Sequence, residues 1–286
     1  MRRGSDNNPL ADTGARPSRV ECDNPTVTQI DYDSWANAYD TTRGVSPSVL
    51  RPLREALGPP AGRSLLDIGG GTGNVALPLA HAGFGVALCD VSPEMVRRAA
   101  AKLPRAVTLA VADAQQLPFA DETFDCAIAV KVINHIADWR RFLREAHRIL
   151  RTGPLVLLHA TRETMEANWI TEYVPSLRSD PRYHSEAETI QALRDSGFVR
   201  VAASHMWYTD MEDGSAQALK HHPRAIIDGA HITNTSLFHR LSEAEVRAVI
   251  GTMRHDYDSG RLQDLIARYQ PLVQRNGDGS VFTAWP

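Results

Sequence analysis

The chain has 286 residues, of which 43% are hydrophobic and 23% charged, a balance foreign to a disordered chain or a membrane channel. Lys plus Arg number 31 against 34 Asp plus Glu, a formal charge of −3, so the basic excess of a dedicated nucleic-acid binder is missing. The three cysteines (Cys22, Cys89 and Cys126) form no C-x-x-C pair, which argues against a disulfide framework or a zinc–cysteine site. No apolar run reaches the roughly 18 residues of a membrane span, and the Met1-Arg2-Arg3 start lacks the apolar stretch of a signal peptide. A soluble cytoplasmic protein is expected.

Residues 1–25, rich in Asn, Asp, Arg, Pro and Gly, read as a disordered leader. From Arg63 onward, short apolar runs alternate with helical patterns. Strands are predicted at Ser64–Ile68, Gly85–Cys89, Val107–Val111, Phe124–Val130 and Leu155–His159, with helices starting at Asn74, Pro93 and Asp138 between them. Such alternation predicts the α/β class: a Rossmann-like, mostly parallel sheet with helices on both faces. Ser92-Pro93, and the pairs Ser185 with Glu188 and Ser242 with Glu245, mark helix starts. Residues 161–184 carry Trp169, Tyr173 and Tyr183 without a strand period and are expected to run over the sheet's carboxyl edge. A helix at 186–196, a strand at 198–208, a largely helical stretch at 212–270 and a strand at 280–285 bring the sheet to seven strands. The implied division is a leader (1–25), a core with an N-terminal covering helix (26–204), a helical lid inserted before the last strand (205–272) and that strand (273–286). An insertion this long replaces what is normally a short turn.

The stretch Leu65-Leu66-Asp67-Ile68-Gly69-Gly70-Gly71-Thr72-Gly73-Asn74 runs an apolar strand into four glycines and a helix. Glycines let the chain turn sharply and let a ligand lie against the backbone with no Cβ in the way. A helix N-terminus beyond would offer free N–H groups. The dinucleotide pattern G-x-G-x-x-G fails from Gly69, because position 74 is Asn, and from Gly71 only a looser form ending in Ala76 exists. Asp90 follows the second strand, 21 residues after Gly69, where a carboxylate can accept hydrogen bonds from both hydroxyls of a ribose. A turn-capping Asp is the other reading.

The spacing of Asp67, Gly69, Gly71 and Gly73 resembles the first motif of class I S-adenosylmethionine-dependent methyltransferases. Val111 to Phe119 is similar to the family's adenine-edge segment, and Phe124–Val130 with the Lys131–Ile136 turn to its fourth strand and the turn after it. Glu145 to Pro154 resembles the helix and turn before the fifth strand, with Gly153-Pro154 where Gly-Gly is more usual. Tyr32-Asp33 through Ala36 to Tyr39-Asp40 and Arg43 resembles the N-terminal covering helix of the small-molecule branch. The resemblance spans about residues 30–200 and implies S-adenosylmethionine as cofactor, with S-adenosylhomocysteine as product. It implies that Asp67, Gly69, Gly71, Gly73 and Asp90 hold the cofactor, with Val91 and Val130 at strand ends beside it. Met95 would pack on adenine, Asp113 would accept from the adenine amino group, and the N–H of Ala114 would donate to a ring nitrogen. Tyr39 would border the methyl donor and Arg43 its carboxylate. A core Met95 and a local-turn Asp113 stay open.

A sulfonium methyl is already activated, so the protein chiefly aligns a nucleophile and excludes water, and no metal is required. An oxygen or nitrogen nucleophile also calls for a base. His135, after the fourth strand at the ligand-binding edge, is the first candidate, with a capping or packing role as the other reading. Seven further histidines beyond residue 180 (His184, His205, His221, His222, His231, His239 and His255) are alternatives. With no H-E-x-x-H motif, and with His221 and His222 pointing apart if helical, no metal site is expected. Lys131 is a candidate to hold an anionic substrate, or else a turn residue. Trp207 and Tyr208, with Met206 and Met211, either line an apolar substrate pocket or pack the lid. No Asn-Pro-Pro-Tyr or Asp-Pro-Pro-Tyr segment occurs, which argues against methylation of nucleic-acid bases or of a release factor. The expected function is methyl transfer to an O, N or C nucleophile of a small molecule, of secondary-metabolite type, by a monomer or homodimer without nucleic-acid or membrane partners. A cyclisation or isomerisation on the same fold and a non-catalytic scaffold are the competing readings.

Overall fold

The computed structural model describes residues 33, 39–210, 212, 214–227, 231, 235–238 and 241–286. The expected leader lies outside the described residues. Helix α1 (Pro47–Leu57), which the sequence reading does not foresee, starts where the Ser46 side chain accepts from the Ser48 N–H and Pro47 occupies the first turn. Its Val49, Leu53 and Leu57 are buried, a four-residue spacing that forms one apolar stripe.

The core then alternates β1 (Ser64–Ile68), α2 (Ala76–His81), β2 (Gly85–Asp90), α3 (Pro93–Lys102), β3 (Thr108–Val111), β4 (Cys126–Val130), α4 (Trp139–Arg148) and β5 (Leu155–His159). It continues with α5 (Arg162–Glu166), α6 (Glu186–Asp195), β6 (Arg200–Met206), α7 (Arg224–Ile227), α8 (Glu243–Asp258), α9 (Arg261–Asn276) and β7 (Gly279–Trp285). The seven strands lie in the order β3-β2-β1-β4-β5-β7-β6, and β7 alone runs antiparallel, between β5 and β6. The Rossmann-like, mostly parallel sheet expected from the alternation is thus the one that forms. Helix α2 begins at Ala76 rather than Asn74 because Gly73, at φ 81, is still turning the chain. The stretch expected to be largely helical breaks into α7, α8, α9 and the 3-10 turn Ala218–His221. Strand β6 ends at Met206 and α9 continues to Asn276, so the insertion occupies 207–278. Both capping boxes form, at Ser185 and Ser242.

Alternating strand residues face opposite sides. Leu66, Ile68, Leu155 and Leu157 pack with Trp139, Phe142, Leu143 and Leu193 on one face. Leu65, Leu88, Val156 and Leu158 pack with Leu53, Leu79 and Ala99 on the other. A third cluster joins two pieces distant in sequence: Met165, Trp169, Ile170 and Leu177 after β5, and Phe238, Met253 and Leu262 of the insertion. Their edges are stitched by Tyr269, whose hydroxyl donates to Glu172 (2.5 Å), and by Tyr173, whose hydroxyl donates to Asp256 (3.0 Å). The insertion is anchored to the sheet by Lys220, which pairs with Asp278 where both side chains are nearly dry, at 6% and 3% exposure. Removing one partner of such a pair strands the other charge. Lys220→Met is therefore expected to destabilise the fold by about 3 kcal/mol, read from urea unfolding midpoints; an unchanged midpoint would show that the anchor is dispensable.

Candidate active site

The glycine loop lies at the point where the chain leaves β1 for β2 on one side and β4 on the other, the crevice where open α/β sheets bind ligands. Gly69 and Gly70 both donate their N–H to the Cys89 carbonyl (2.8 and 3.1 Å). A Cβ on Gly69 would fall 2.4 Å from Val132, and one on Gly73 would fall 2.8 Å from Leu103. Gly71, at φ 55, is different: a Cβ there would meet nothing within 4 Å. That loop position faces open space.

Asp90 fastens the loop to the next helix. One carboxylate oxygen accepts from the Gly71 N–H (2.9 Å) and the other from the Ser92 N–H (2.9 Å). Burial raises its pKa, partly offset by those backbone donors. Asp67 sits beneath the loop almost fully buried, and one of its oxygens has no hydrogen-bond partner. Burial first, and the charge of Asp90 second, push its pKa from 3.8 to about 7.

Two acids of the covering segment, Asp33 and Asp40, clasp this loop. The Ser92 hydroxyl donates to Asp33 (2.5 Å). Asp40 accepts from the Thr72 hydroxyl (2.5 Å) and pairs with Lys102 (2.8 Å), while Asn74 donates to the Arg43 carbonyl (2.7 Å). Tyr39 and Arg43, both half-buried, are thereby held against the loop. The sequence reading uses Asp33 and Asp40 only as landmarks of that helix. Thr72 and Lys102, which complete the clasp, carry no motif signal.

Val91 is 55% exposed at the end of β2, and Val111 is 49% exposed at the end of β3. Two bare apolar side chains at adjoining strand ends suit a flat hydrophobic ligand; Val111 opens the segment that resembles an adenine edge but carries no signal of its own, because a strand-ending Val looks like any other. Met95 is buried, its N–H donating to the Ser92 hydroxyl. Asp113 accepts from both the backbone and side chain of Gln115 (2.8 and 3.1 Å), the local-turn arrangement, and Ala114 beside it is buried. Val130 is half-buried at the end of β4.

Past β4 the chain enters Lys131, in the left-handed region at φ 58, and then the 3-10 turn Ile133–His135. His135 is half-buried there, its N–H donating to the Val132 carbonyl (2.8 Å). Asn134 ties the turn to the segment after β5, donating to the carbonyls of Ala160 and Arg182 (3.2 and 2.8 Å). Tyr208 is buried with Met206 in the core and lies under the Lys131 ammonium, 5.0 Å from its ring centroid. Trp207 points to the opposite face, where its ring N–H donates to the Val273 carbonyl (2.8 Å). Trp207 therefore does not join Lys131 and Tyr208.

Most other histidines are committed elsewhere. His205 pairs with Glu186 (2.7 Å), His221 reaches the Tyr208 carbonyl (2.9 Å), and His184 stacks on Trp139. His159, at the end of β5, is buried against Phe282, and burial drives its pKa down to about 4. His222 and His255 are exposed, His231 is half-buried, and His239 lies outside the described residues.

The methyltransferase-domain family profile matches residues 66–158. The ubiquinone/menaquinone biosynthesis C-methyltransferase of Bradyrhizobium diazoefficiens is 30% identical over 220 residues, covering 63% of this chain and 86% of that one. The chain belongs to the class I S-adenosylmethionine-dependent methyltransferases. The demethylmenaquinone methyltransferase of Paenarthrobacter aurescens is 27% identical over 63% of this chain and 78% of its own. Among solved structures, a provisionally named methyltransferase from an antibiotic biosynthesis pathway of Anabaena variabilis shares the fold at TM-score 0.74 and 23% identity, over 85% of this chain and 98% of that one. The [4+2]-cyclase SpnF shares it at TM-score 0.52 and 18% identity, over 89% and 92%.

S-adenosylmethionine is the cofactor of this methyltransferase, and the residues present fit it: an open space over Gly71, an acid at the end of β2 and bare valines at two strand ends. Asp90→Ala removes the carboxylate that would take the ribose hydroxyls, and is expected to weaken S-adenosylmethionine binding by about 1.5–3 kcal/mol in calorimetric titration. Equal affinity would overturn the ribose role. Asp67 gives a pH signature. Because its folded pKa is raised from 3.8 to about 7, the folded state binds the extra proton, so stability falls as pH rises between about 4 and 7 and levels off above. Asp67→Asn is expected to remove that decline in urea titrations across the same range; an identical slope in both proteins would count against a protonated Asp67.

Proposed function

We propose that the acceptor of this methyltransferase is a small molecule, processed in the cytoplasm and of secondary-metabolite type. The observation that carries this reading is the cover: two distant segments fuse into one apolar unit that is tied to the turn after β4 through Asn134. It also meets the covering segment, where the Gly44 N–H donates to the Glu212 carbonyl (2.6 Å). A site roofed by its own chain suits a ligand that can be enclosed, whereas a macromolecular acceptor needs an open face. Among the described residues no helix is long and apolar enough to cross a membrane.

In this reading Asp90, Gly69, Gly71, Gly73, Val91 and Val130 hold the cofactor, with Asp67 beneath the loop. Tyr39 and Arg43 close over the donor end, and Met95, Val111, Asp113 and Ala114 border the base. When bound, the cofactor supplies an activated methyl on a sulfonium. The protein's share is to fix the acceptor in line, keep water out and receive its proton. His135, in the turn that follows Val132, receives it. Lys131 and Tyr208 meet the acceptor itself.

Incubation with S-adenosylmethionine and a panel of hydroxylated, amino and carbon-acid small molecules, read by S-adenosylhomocysteine release, tests the reading. His135→Ala is expected to lower turnover about 100-fold or more with the cofactor dissociation constant unchanged. Conversion of an acceptor without S-adenosylhomocysteine release would favour a cyclisation or isomerisation instead, and methylation of macromolecules alone would overturn the small-molecule reading.

A further inference from the structure

The sheet ends at β6, which among the described residues pairs with β7 along one side only. Unpaired N–H and C=O groups on the other side are a template for a further strand, so native edges are ordinarily blunted by lysines, prolines, bulges or a covering element. Strand β6 has no lysine or proline and keeps an unbroken register with β7 from Arg200 to Met206. Arg200, Ala202, Ala203 and Ser204 are exposed on it. Among the described residues, the large apolar side chains left exposed are Val91 and Val111 beside the cofactor loop, and Val199, Trp207 and Leu272. Those last three surround the edge. Val199 precedes β6 at 82% exposure and Trp207 follows it at 40%, while Leu272 adjoins Val273, whose carbonyl accepts from the Trp207 ring N–H (2.8 Å).

This edge is its own complement. Outward-facing backbone groups recur at every second residue of a strand, and two antiparallel strands bond only where such groups meet. Two identical strands related by a twofold axis therefore pair in registers where the numbers of opposed residues have an even sum. Of these registers, the one centred on Ala203 pairs the whole of β6, from Arg200 to Met206. It sets Ala203 against the partner's Ala203 and Ala202 against the partner's Ser204, small side chains that let the backbones approach. One step beyond the strand, Val199 meets the partner's Trp207 at each end. Arg200, which alone of Arg, Lys, Asp and Glu occurs on the strand, faces the partner's Met206, so no like charges are opposed.

We infer that the open edge of β6 binds a second copy of this chain, antiparallel about Ala203, so that the two sheets join into one. The occupant is a second copy because the pattern matches itself: each apolar flank needs the other, and each copy supplies both. Such an isologous contact uses up both β6 edges, so association through it stops at a dimer. The contact also reaches the insertion. Trp207 is its first residue and its ring is bonded to α9, so the partner's Val199 packs at the insertion's foot.

Sedimentation equilibrium of the full chain and of Ala203→Asp and Ala203→Lys tests the inference. Position 203 faces its own copy across the axis, so either substitution opposes like charges. The native chain is expected to be a dimer at micromolar concentration, and each variant alone to dimerise at least about fivefold more weakly. An equimolar mixture of the two variants should regain the dimer, because Asp then faces Lys. Each variant should bind S-adenosylhomocysteine as the native chain does, which shows the fold to be intact. Val199→Ser, beyond the end of the strand, should weaken the dimer as well. A monomeric native chain overturns the inference, as does a dimer that either Ala203 variant keeps at full strength, a mixture that does not recover, or a dimer indifferent to Val199→Ser.

Discussion

The close approach of neighbouring side chains to the glycine backbone at the carboxyl end of β1 is the constraint on which the rest of the site depends. Gly69 packs on Val132, Gly70 on Leu88 and Asp67, and Gly73 on Leu103, each so tightly that a Cβ would fall under 3 Å from a neighbour. These three positions are glycine because the protein occupies the space. Gly71 is glycine in a left-handed turn with open space around it. The same loop therefore contains positions that lock it to the sheet and one that leaves room for a ligand, and the locking gives the room a fixed shape. Asp90 extends the arrangement: by bridging Gly71 to Ser92, it sets the register between the loop and α3, to which Asp33 and Asp40 then clasp the covering segment.

The unit that joins the insertion to the segment after β5 is built by contacts between pieces far apart in the chain. Its apolar cluster joins residues after β5 to residues of the insertion, so neither piece buries its hydrophobic side alone. The charged contacts along its rim, such as Arg178 with Glu172 and Arg261 with Asp256, are well exposed on the arginine side and contribute little individually. The Lys220–Asp278 pair differs, because it is dry and stands where the insertion leaves the sheet. Its Asp278 also accepts from the Tyr208 N–H, and so links the foot of the insertion to the ring beneath the Lys131 ammonium.

Much of this was legible in the sequence, for local reasons. Parallel strands buried on both faces read as unbroken apolar runs, so β1, β2, β4 and β5 stand out. Capping boxes at Ser185 and Ser242 satisfy orphan N–H groups within four residues and so announce their helices. The glycine spacing and Asp90 are legible because the loop's own geometry demands them. What escaped depends on contacts distant in sequence. The stripe of α1 is interrupted by Arg and Pro and is recognisable only against β5 and β6. Trp207 and Tyr208 read as one aromatic pair in the sequence, but just past β6 the chain turns Trp207 outward and buries Tyr208. Asp113 has enough neighbouring donors to satisfy itself locally, and its sequence surroundings fit a turn as well as an adenine edge.

The electrostatics of the site follow from where its charges are placed. Asp67 and Asp90 lie on the loop side, and burial raises the pKa of both, that of Asp67 to about 7, so Asp67 is only partly ionised at neutral pH. At the end of β4 the Lys131 ammonium rests over the Tyr208 ring, 5.0 Å from its centroid, a contact in which the ring's negative face attracts the cation. The acidic and basic groups around the loop are thus held by different devices: burial and backbone N–H donors for the carboxyls of Asp67 and Asp90, and an aromatic face for the ammonium.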